Sequence, residues 1–381
     1  MDFFDKVKLL GEQAKFDLCG DCFVSKEIRR VKDINLSQWI YPTTLPDGKK
    51  VRLLKILMSN ICENDCAYCP VSSLTKVPRI SFSAEELAAG FMRLHRARLV
   101  SGLFLSSGVK YNPERTMQEM LDTVAILRRK YNFRGYIHLK ILPGASLQSL
   151  ETAFKLASRV SVNLEVPDEK YIEKISSYKN FAEDLLGKLK VISYLKKNNP
   201  SYLRDGFTTQ FVVGAAGEKD VEIISRTYEL YRSLRLSRVY YSAFQPVLGT
   251  PLENSPSTPP IREVRLYQAD FLLRRYGFRI DEIFFNEEGN LSTLEDPKTI
   301  WANRHLDFFP VEIGSATYEE LIRVPGIGPK SARKILALRK GISHLDLETL
   351  CLRIPTFRRA LPYITVRGKK PVTMAEIKAL F

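Results

Sequence analysis

The chain has 381 residues, 45% hydrophobic and 27% charged, and 58 Lys and Arg against 43 Asp and Glu leave a formal net charge of +15. These proportions exclude a disordered, collagen-like or low-complexity chain and leave room for one large domain with one or two small ones. No stretch approaches the roughly 18 consecutive apolar residues of a membrane-spanning helix. The start, Met1-Asp2-Phe3-Phe4-Asp5-Lys6, lacks the basic-then-apolar pattern of a signal peptide, so a cytoplasmic location with no membrane partner is expected.

Residues 1–50 read as an N-terminal cap segment that carries Cys19 and Cys22 as C-x2-C. With Cys351 these would make three ligands for a second cluster, and the alternative is a cap with unpaired thiols. From Val51 the chain alternates between strand and helix. The expected strands are 51–57, 100–105, 136–142, 160–166, 208–213 and 238–244. Between them lie helices near 83–98, 113–131, 146–158, 168–197 and 218–234, the first opened by Ser83 with Glu86 three residues on, the pattern of a capping box. Six strand-helix units predict a parallel sheet, expected here as a partial six-unit (β/α) barrel over 51–285, with a doubly wound open sheet as the alternative. Both folds place their chemistry at the carboxyl ends of the strands.

The segment 249–260 (GTPLENSPSTPP) breaks regular structure, and a helix at 261–276 and a strand at 278–285 are expected to pack on the barrel. Residues 286–316 form a bridge. Residues 317–381 hold 13 basic and 5 acidic residues, so more than half of the net charge sits in a small all-α tail domain. Such a concentration suits a polyanion.

Three of the six cysteines fall within eight residues, as Cys62-Glu-Asn-Asp-Cys66-Ala-Tyr-Cys69 after the first barrel strand. A zinc site usually needs four protein ligands, and no second pair lies nearby in sequence. Three thiolates at C-x3-C-x2-C suit a 4Fe-4S cluster with one iron open to a small molecule. With Tyr68 before the last cysteine and a (β/α) barrel around it, the motif resembles the radical S-adenosylmethionine (radical SAM) superfamily. The resemblance implies that Cys62, Cys66 and Cys69 hold the cluster and that the methionyl amine and carboxylate of S-adenosylmethionine chelate the open iron. It further implies that an electron from the cluster, supplied by a donor such as flavodoxin or ferredoxin, cleaves the sulfonium to a 5′-deoxyadenosyl radical that takes a hydrogen atom from substrate.

The same resemblance assigns Tyr68 and Ser106-Ser107-Gly108 to the cofactor, although the acid of the family's Gly-Gly-Glu-like segment is absent here. Asn163 and Glu165 alternate onto one face by the period of two and are assigned to its ribose or amine. Gly214, in Gly214-Ala-Ala-Gly217-Glu218, resembles the adenine-contact segment and also reads as an ordinary strand-to-helix turn; Gln245 is assigned to adenine or substrate. His138 and Lys140 read as rim residues.

In the tail, Val324-Pro325-Gly326-Ile327-Gly328-Pro329-Lys330-Ser331 resembles the helix-hairpin-helix motif. Gly326 and Gly328 permit the tight turn, Ser331 and the bare amides at the second helix suit a phosphate, and Lys330, Arg333 and Lys334 supply charge. Ala332, Ile335, Leu336 and Leu338 are expected on the buried face, and a second hairpin without glycines follows from Leu347 to Leu361. Together with Asp296-Pro297-Lys298, Trp301 and Phe309-Pro310-Val311-Glu312, the chain resembles the radical SAM branch assigned to DNA modification or repair. That branch is linked by genome neighbourhood to a uracil-DNA glycosylase, which implies DNA in preference to RNA as partner and a glycosylase-like protein as a second partner. The alternatives are a helix-hairpin-helix DNA glycosylase or lyase, for which Lys330 but not Asp346 matches, and a non-enzymatic nucleic-acid binder with a structural cluster.

Overall fold

The computed structural model describes residues 1–16, 39–44, 48–341 and 347–371. Cys19, Cys22 and Asp346 lie outside the described residues. The chain divides into two compact units, residues 1–218 with 229–260, and residues 219–228 with 261–381.

The first unit begins with helix α1 (Phe3–Gln13) and strand β1 (Ile40–Thr44), neither of which the sequence pattern announced. Then come β2 (Lys50–Leu57), α2 (Ala84–Arg96), β3 (Gly102–Ser106), α3 (Pro113–Ala125), β4 (Tyr136–Lys140), α4 (Leu147–Leu156) and β5 (Arg159–Ser161). A short helix α5 (Glu169–Ile172) and α6 (Lys188–Asn198) precede β6 (Phe207–Val213), α7 (Asp220–Leu234), whose first part to Tyr228 belongs to the second unit, and β7 (Arg238–Ala243). The seven strands pair in the order β1 to β7, antiparallel between β1 and β2 and parallel thereafter. A doubly wound sheet reverses its strand order at a switch point; this sheet never does, so it is the curled partial barrel. β3 and β6 are buried at every position, as parallel strands covered by helices require.

Local signals account for several boundaries. Ser83 Oγ accepts from the Glu86 amide at 3.1 Å and Glu86 accepts in return from the Ser83 amide, completing the capping box of α2. Glu86 also pairs with Lys6 of α1 at 2.7 Å, so one carboxylate caps a helix and fastens the N-terminal helix to it. The helix expected to run to Tyr131 changes at Ile126 to a π turn, where Arg128 donates to the Leu156, Phe133 and Gly135 carbonyls. His138 is not a rim residue: it is fully buried, with Nε2 2.9 Å from Ser161 Oγ and its ring edge-on to Phe104. Burial, then the charges of Arg159, Lys140 and Lys55, hold its pKa well below the usual histidine range.

The second unit contains α8 (Pro260–Arg275), α9 (Pro297–Arg304), α10 (Tyr318–Arg323), α11 (Pro329–Gly341) and α12 (Leu347–Arg353). Strands β8 (Val311–Glu312) and β9 (Ile364–Thr365) pair in parallel. α8, expected on the barrel, belongs to this unit: Arg265 donates to the Ser292, Thr293 and Leu294 carbonyls, and Arg262 pairs with the buried Asp220 at 2.7 Å. The strand expected at 278–285 is instead a 3-10 turn at Ile280–Glu282, because the Glu282 carboxylate accepts from the Arg279 amide and closes the backbone on itself. The expected helical hairpin is present, and Ala332 and Ile335 of α11 enter a core with Leu321, Ile322, Val324, Leu350, Phe357 and Leu361, with Leu336 and Leu338 partly buried against it. Among the described residues no helix is long and apolar enough to cross a membrane.

Replacing Ser83 with Ala removes the cap of α2 and should lower unfolding free energy by about 1 kcal/mol, read as a lower urea midpoint at unchanged slope.

Candidate functional site

The strand order leaves the loops after β2 to β7 at one end of the sheet, and there the first unit encloses a cavity of about 130 Å³. Cys62, Cys66 and Cys69 line it, as do Tyr68, Ser106, Ser107, Gly108, Asn163, Glu165 and Gln245. Gly214 is the one expected cofactor residue outside the lining. With φ near 90° it turns the chain after β6, and its amide donates to Glu218, so the turn reading describes it.

The cysteine loop is held from three sides. Arg79 donates to the carbonyls of Asn60 and Val71 at 2.5 and 2.8 Å and to those of Ser72 and Thr75 at 2.6 and 2.7 Å. One guanidinium thereby satisfies acceptors that a loop so closely packed would otherwise leave unmet. Asp65 accepts from Ser176 and Ser177, and the Ala67 amide donates to the Ile175 carbonyl at 2.8 Å. On the third side, the Val109 amide approaches Cys62 Sγ at 3.4 Å. Gly108 is required there for space: a Cβ would stand 2.6 Å from the Ile61 carbonyl oxygen and 3.0 Å from Cys62 Cβ.

Glu165 follows the end of β5 by four residues, and its φ of 64° is unusual for a side chain larger than glycine. The alternation of Asn163 and Glu165 is thus produced by irregular backbone beyond Ser161. Glu165 Oε1 pairs with Lys179 Nζ at 2.8 Å, the two side chains 5% and 7% exposed. The same ammonium donates to Tyr68 Oη at 2.9 Å. Burial opposes the charge on Lys179, but Cys66 and Glu165 outweigh it and raise the pKa, so the ammonium persists. Burial, then Glu165, pushes the Tyr68 phenol well up. Lys179 lies in the long insertion after β5, where no motif marked it.

Burial raises the Cys62 thiol and, with Cys66, pushes Cys69 up to about 12. Cysteines bind a metal cluster as thiolates, and a nearby positive charge offsets the cost that burial puts on ionising them. Among the described residues no three His, Cys, Asp or Glu side chains gather closely enough for a single ion. A four-iron cluster makes no such demand, because each cysteine binds a different iron. Glu165 Oε2 is buried without a hydrogen-bond partner, an acceptor that an amine or hydroxyl of a bound molecule would meet. The residues therefore fit a three-cysteine cluster with a polar organic ligand beside it.

Replacing Lys179 with Met strands the Glu165 carboxylate in the cavity. We expect the cluster-free protein to lose about 3–5 kcal/mol in a urea titration, and the double change with Glu165→Gln to recover much of it.

A family model of the radical SAM superfamily matches residues 56–225, and one of the helix-hairpin-helix motif matches residues 315–338. No curated protein sequence matches the chain. Among solved structures, the FeFe-hydrogenase maturase HydG from Carboxydothermus hydrogenoformans is similar at 17% identity and a TM-score of 0.45, over 57% of this chain and 50% of its own. Methylornithine synthase (PylB) is similar at 17% identity and a TM-score of 0.46, over 57% and 60%. The radical S-adenosylmethionine methyltransferase TsrM from Kitasatospora setae is similar at 11% identity and a TM-score of 0.42, over 57% and 37%. The chain spans about half the length of these proteins. Residues 56–225 therefore match the radical SAM domain, whose family uses a 4Fe-4S cluster and S-adenosylmethionine, and residues 315–338 match the helix-hairpin-helix motif.

Proposed function

We propose that this chain is a radical SAM enzyme whose substrate is a nucleotide within nucleic acid, DNA in preference to RNA, and whose reaction is a modification or repair step. The observation that carries the enzymatic half is the cavity that brings Cys62, Cys66 and Cys69 together with the unpartnered Oε2 of Glu165. When bound, the cluster and S-adenosylmethionine supply one-electron cleavage and hydrogen-atom abstraction. The protein's own residues position and shield. Cys62, Cys66 and Cys69 hold the cluster, and Lys179 offsets thiolate charge while fixing Tyr68 and Glu165. Glu165 and Asn163 accept from the cofactor's amine or ribose hydroxyls, and Ser106 and Ser107 supply further polar contacts. The apolar side chains of Leu142, Val212 and Phe244 in the cavity wall keep water from the reacting centre. Flavodoxin or ferredoxin suits the role of electron donor, and a uracil-DNA glycosylase-like protein that of functional partner.

The nucleic-acid half rests on the hairpin. Lys330 and Arg333 project from the start of α11 and are exposed, with Lys334 beside them donating to the Arg353 carbonyl at 2.7 Å. Cations at the start of a hairpin helix engage phosphates and leave base sequence unread. A tethered module of this kind raises the local concentration of its polymer at the catalytic domain. For duplex DNA the reacting nucleotide must be extruded.

Anaerobic reconstitution should give about four irons per chain, and dithionite with S-adenosylmethionine should release 5′-deoxyadenosine; Cys66→Ala should lose both. A tightly bound zinc with no product would overturn this reading. For the hairpin, Lys330→Ala and Arg333→Ala should each weaken binding alike on unrelated duplexes and flatten the salt dependence by roughly one unit. Binding that survives deletion of residues 317–381 would remove the hairpin from the account.

A further inference from the structure

Beside the hairpin turn, within the second unit, lies a separate cavity of about 340 Å³. Lys298 forms part of its wall and is 8% exposed. Its position is fixed by local chemistry: Asp296 caps α9, Pro297 begins it, and Lys298 follows in the first turn. Lys298 Nζ donates to the Ile327 carbonyl at 2.6 Å and stands 4.7 Å from the centre of the Tyr276 ring. Asp296, the nearest acid in sequence, directs its oxygens to Thr299 and to Arg359. An ammonium carries three donors, and a buried one with a single carbonyl acceptor is poorly compensated. The charged groups facing it are Asp296, which favours its ammonium form, and Arg323 and Arg359, which oppose it; Tyr276 presents its ring. Burial is the largest effect and lowers the Lys298 pKa to about 7.

A neutral amine at the wall of a cavity is a nucleophile for a carbonyl carbon. The remaining wall includes Ser331, the Tyr276 phenol, Asp296 and Arg359; one nitrogen of the Arg359 guanidinium is held by Asp296, and its other donors, with the two hydroxyls, are of the kind that hold phosphate oxygens. The volume falls in the range of small-molecule sites.

We propose that this cavity is a second reactive site, in which the Lys298 amine captures the aldehyde of a phosphorylated pentose as an imine. The nitrogen lone pair adds to the carbonyl carbon, and the carbonyl π pair becomes a hydroxyl by taking a proton. That hydroxyl then leaves as water with a proton from nitrogen, and the C=N bond forms. Neither oxidant nor reductant is consumed. The aldehyde has two sources, a free sugar phosphate or an abasic nucleotide in a polymer, and the second source rests on the nucleic-acid reading of the hairpin given above.

The test is reductive trapping. The full chain is incubated with cyanoborohydride and either 2-deoxyribose 5-phosphate or a duplex carrying one abasic site, and the adducts are mapped by peptide mass spectrometry. Around pH 7 the adduct on Lys298 should exceed that on any exposed lysine by more than about tenfold, since an ordinary lysine titrates near 10.4. Deprotonation frees the nucleophile, so the Lys298 adduct should rise with pH through about 7 and then level, while that of an exposed-lysine peptide in the same digest keeps rising, so that the ratio of the two falls above about pH 7. Lys298→Arg keeps a donor for Ile327 and should abolish the adduct; a variant that fails to fold leaves the wild-type map to decide. Adducts spread over surface lysines with none on Lys298 overturn the proposal. Binding of an intact duplex, measured separately, divides the two readings. Duplex bound with neither aldehyde trapped defeats the imine site and leaves the hairpin. Sugar phosphate trapped with no duplex bound leaves the imine site with a free sugar phosphate as its ligand and defeats the hairpin.

Discussion

A buried ammonium between a carboxylate and a thiol-bearing loop is the constraint on which the first unit depends. Lys179 reaches Glu165 at 2.8 Å and Tyr68 at 2.9 Å, and so joins the end of β5, the insertion that follows it and the cysteine loop at one atom. Desolvating two charges costs more than their attraction usually returns, so such a pair is weak evidence of stabilisation for its own sake. Its use here is electrostatic. Three cysteines must lose their protons in a site where burial pushes Cys62 and Cys69 up, and a fixed positive charge offsets that penalty. Glu165 then keeps the lysine protonated while one of its own oxygens remains open to a ligand.

The backbone around the pair shows the same demand. Glu165 takes a left-handed φ, and Gly108 comes against Ile61 more closely than a Cβ would allow. Both features crowd polar atoms into the mouth of the sheet at the expense of local conformational preference. Such conflicts between local rule and global placement are expected at sites of function; the left-handed φ alone does not mark one, since six other non-glycine residues among those described share it.

What the sequence disclosed followed from how far apart the interacting residues lie. The capping box of Ser83 and Glu86, the spacing of Cys62, Cys66 and Cys69, and the glycines of the hairpin are interactions within a turn or a short loop, and each was legible. The consecutive strand order was legible as alternation, and the partial barrel expected from it is the fold observed, the open-sheet alternative being excluded by the strand order itself. Arg79 and Lys179 were invisible, because their partners are carbonyls and side chains defined only by tertiary folding, and lysine or arginine in a loop carries no periodic signal. The reading of 278–285 as a strand failed for a related reason. Its apolar residues pack singly, Phe278 edge-on to Trp301 and beneath the Arg323 guanidinium at 3.9 Å, and they follow no sheet face.

Counting charges likewise overstates what the tail presents to a polyanion. Arg323 pairs with Glu282, Arg359 with Asp296, and Arg339 donates to the carbonyls of Ala316 and Ile313. Arg323 and Arg339 thereby bind the unit together, and Arg359, 61% exposed, commits one nitrogen to Asp296, so the three neutralise less phosphate than their number suggests. The hairpin glycines are engaged in the same way: a Cβ on Gly326 would meet the Thr356 carbonyl at 2.7 Å, and one on Gly328 would meet Tyr276 Oη at 2.9 Å. Thr356 Oγ1 and Lys298 Nζ occupy the Gly326 and Ile327 carbonyls. The turn is therefore made compact by its own unit, and the exposed cations lie around it: Lys330 and Arg333 at the start of α11, with Arg353 and Arg358 further along the chain. An electrostatic footprint somewhat smaller than composition alone suggests follows from that geometry.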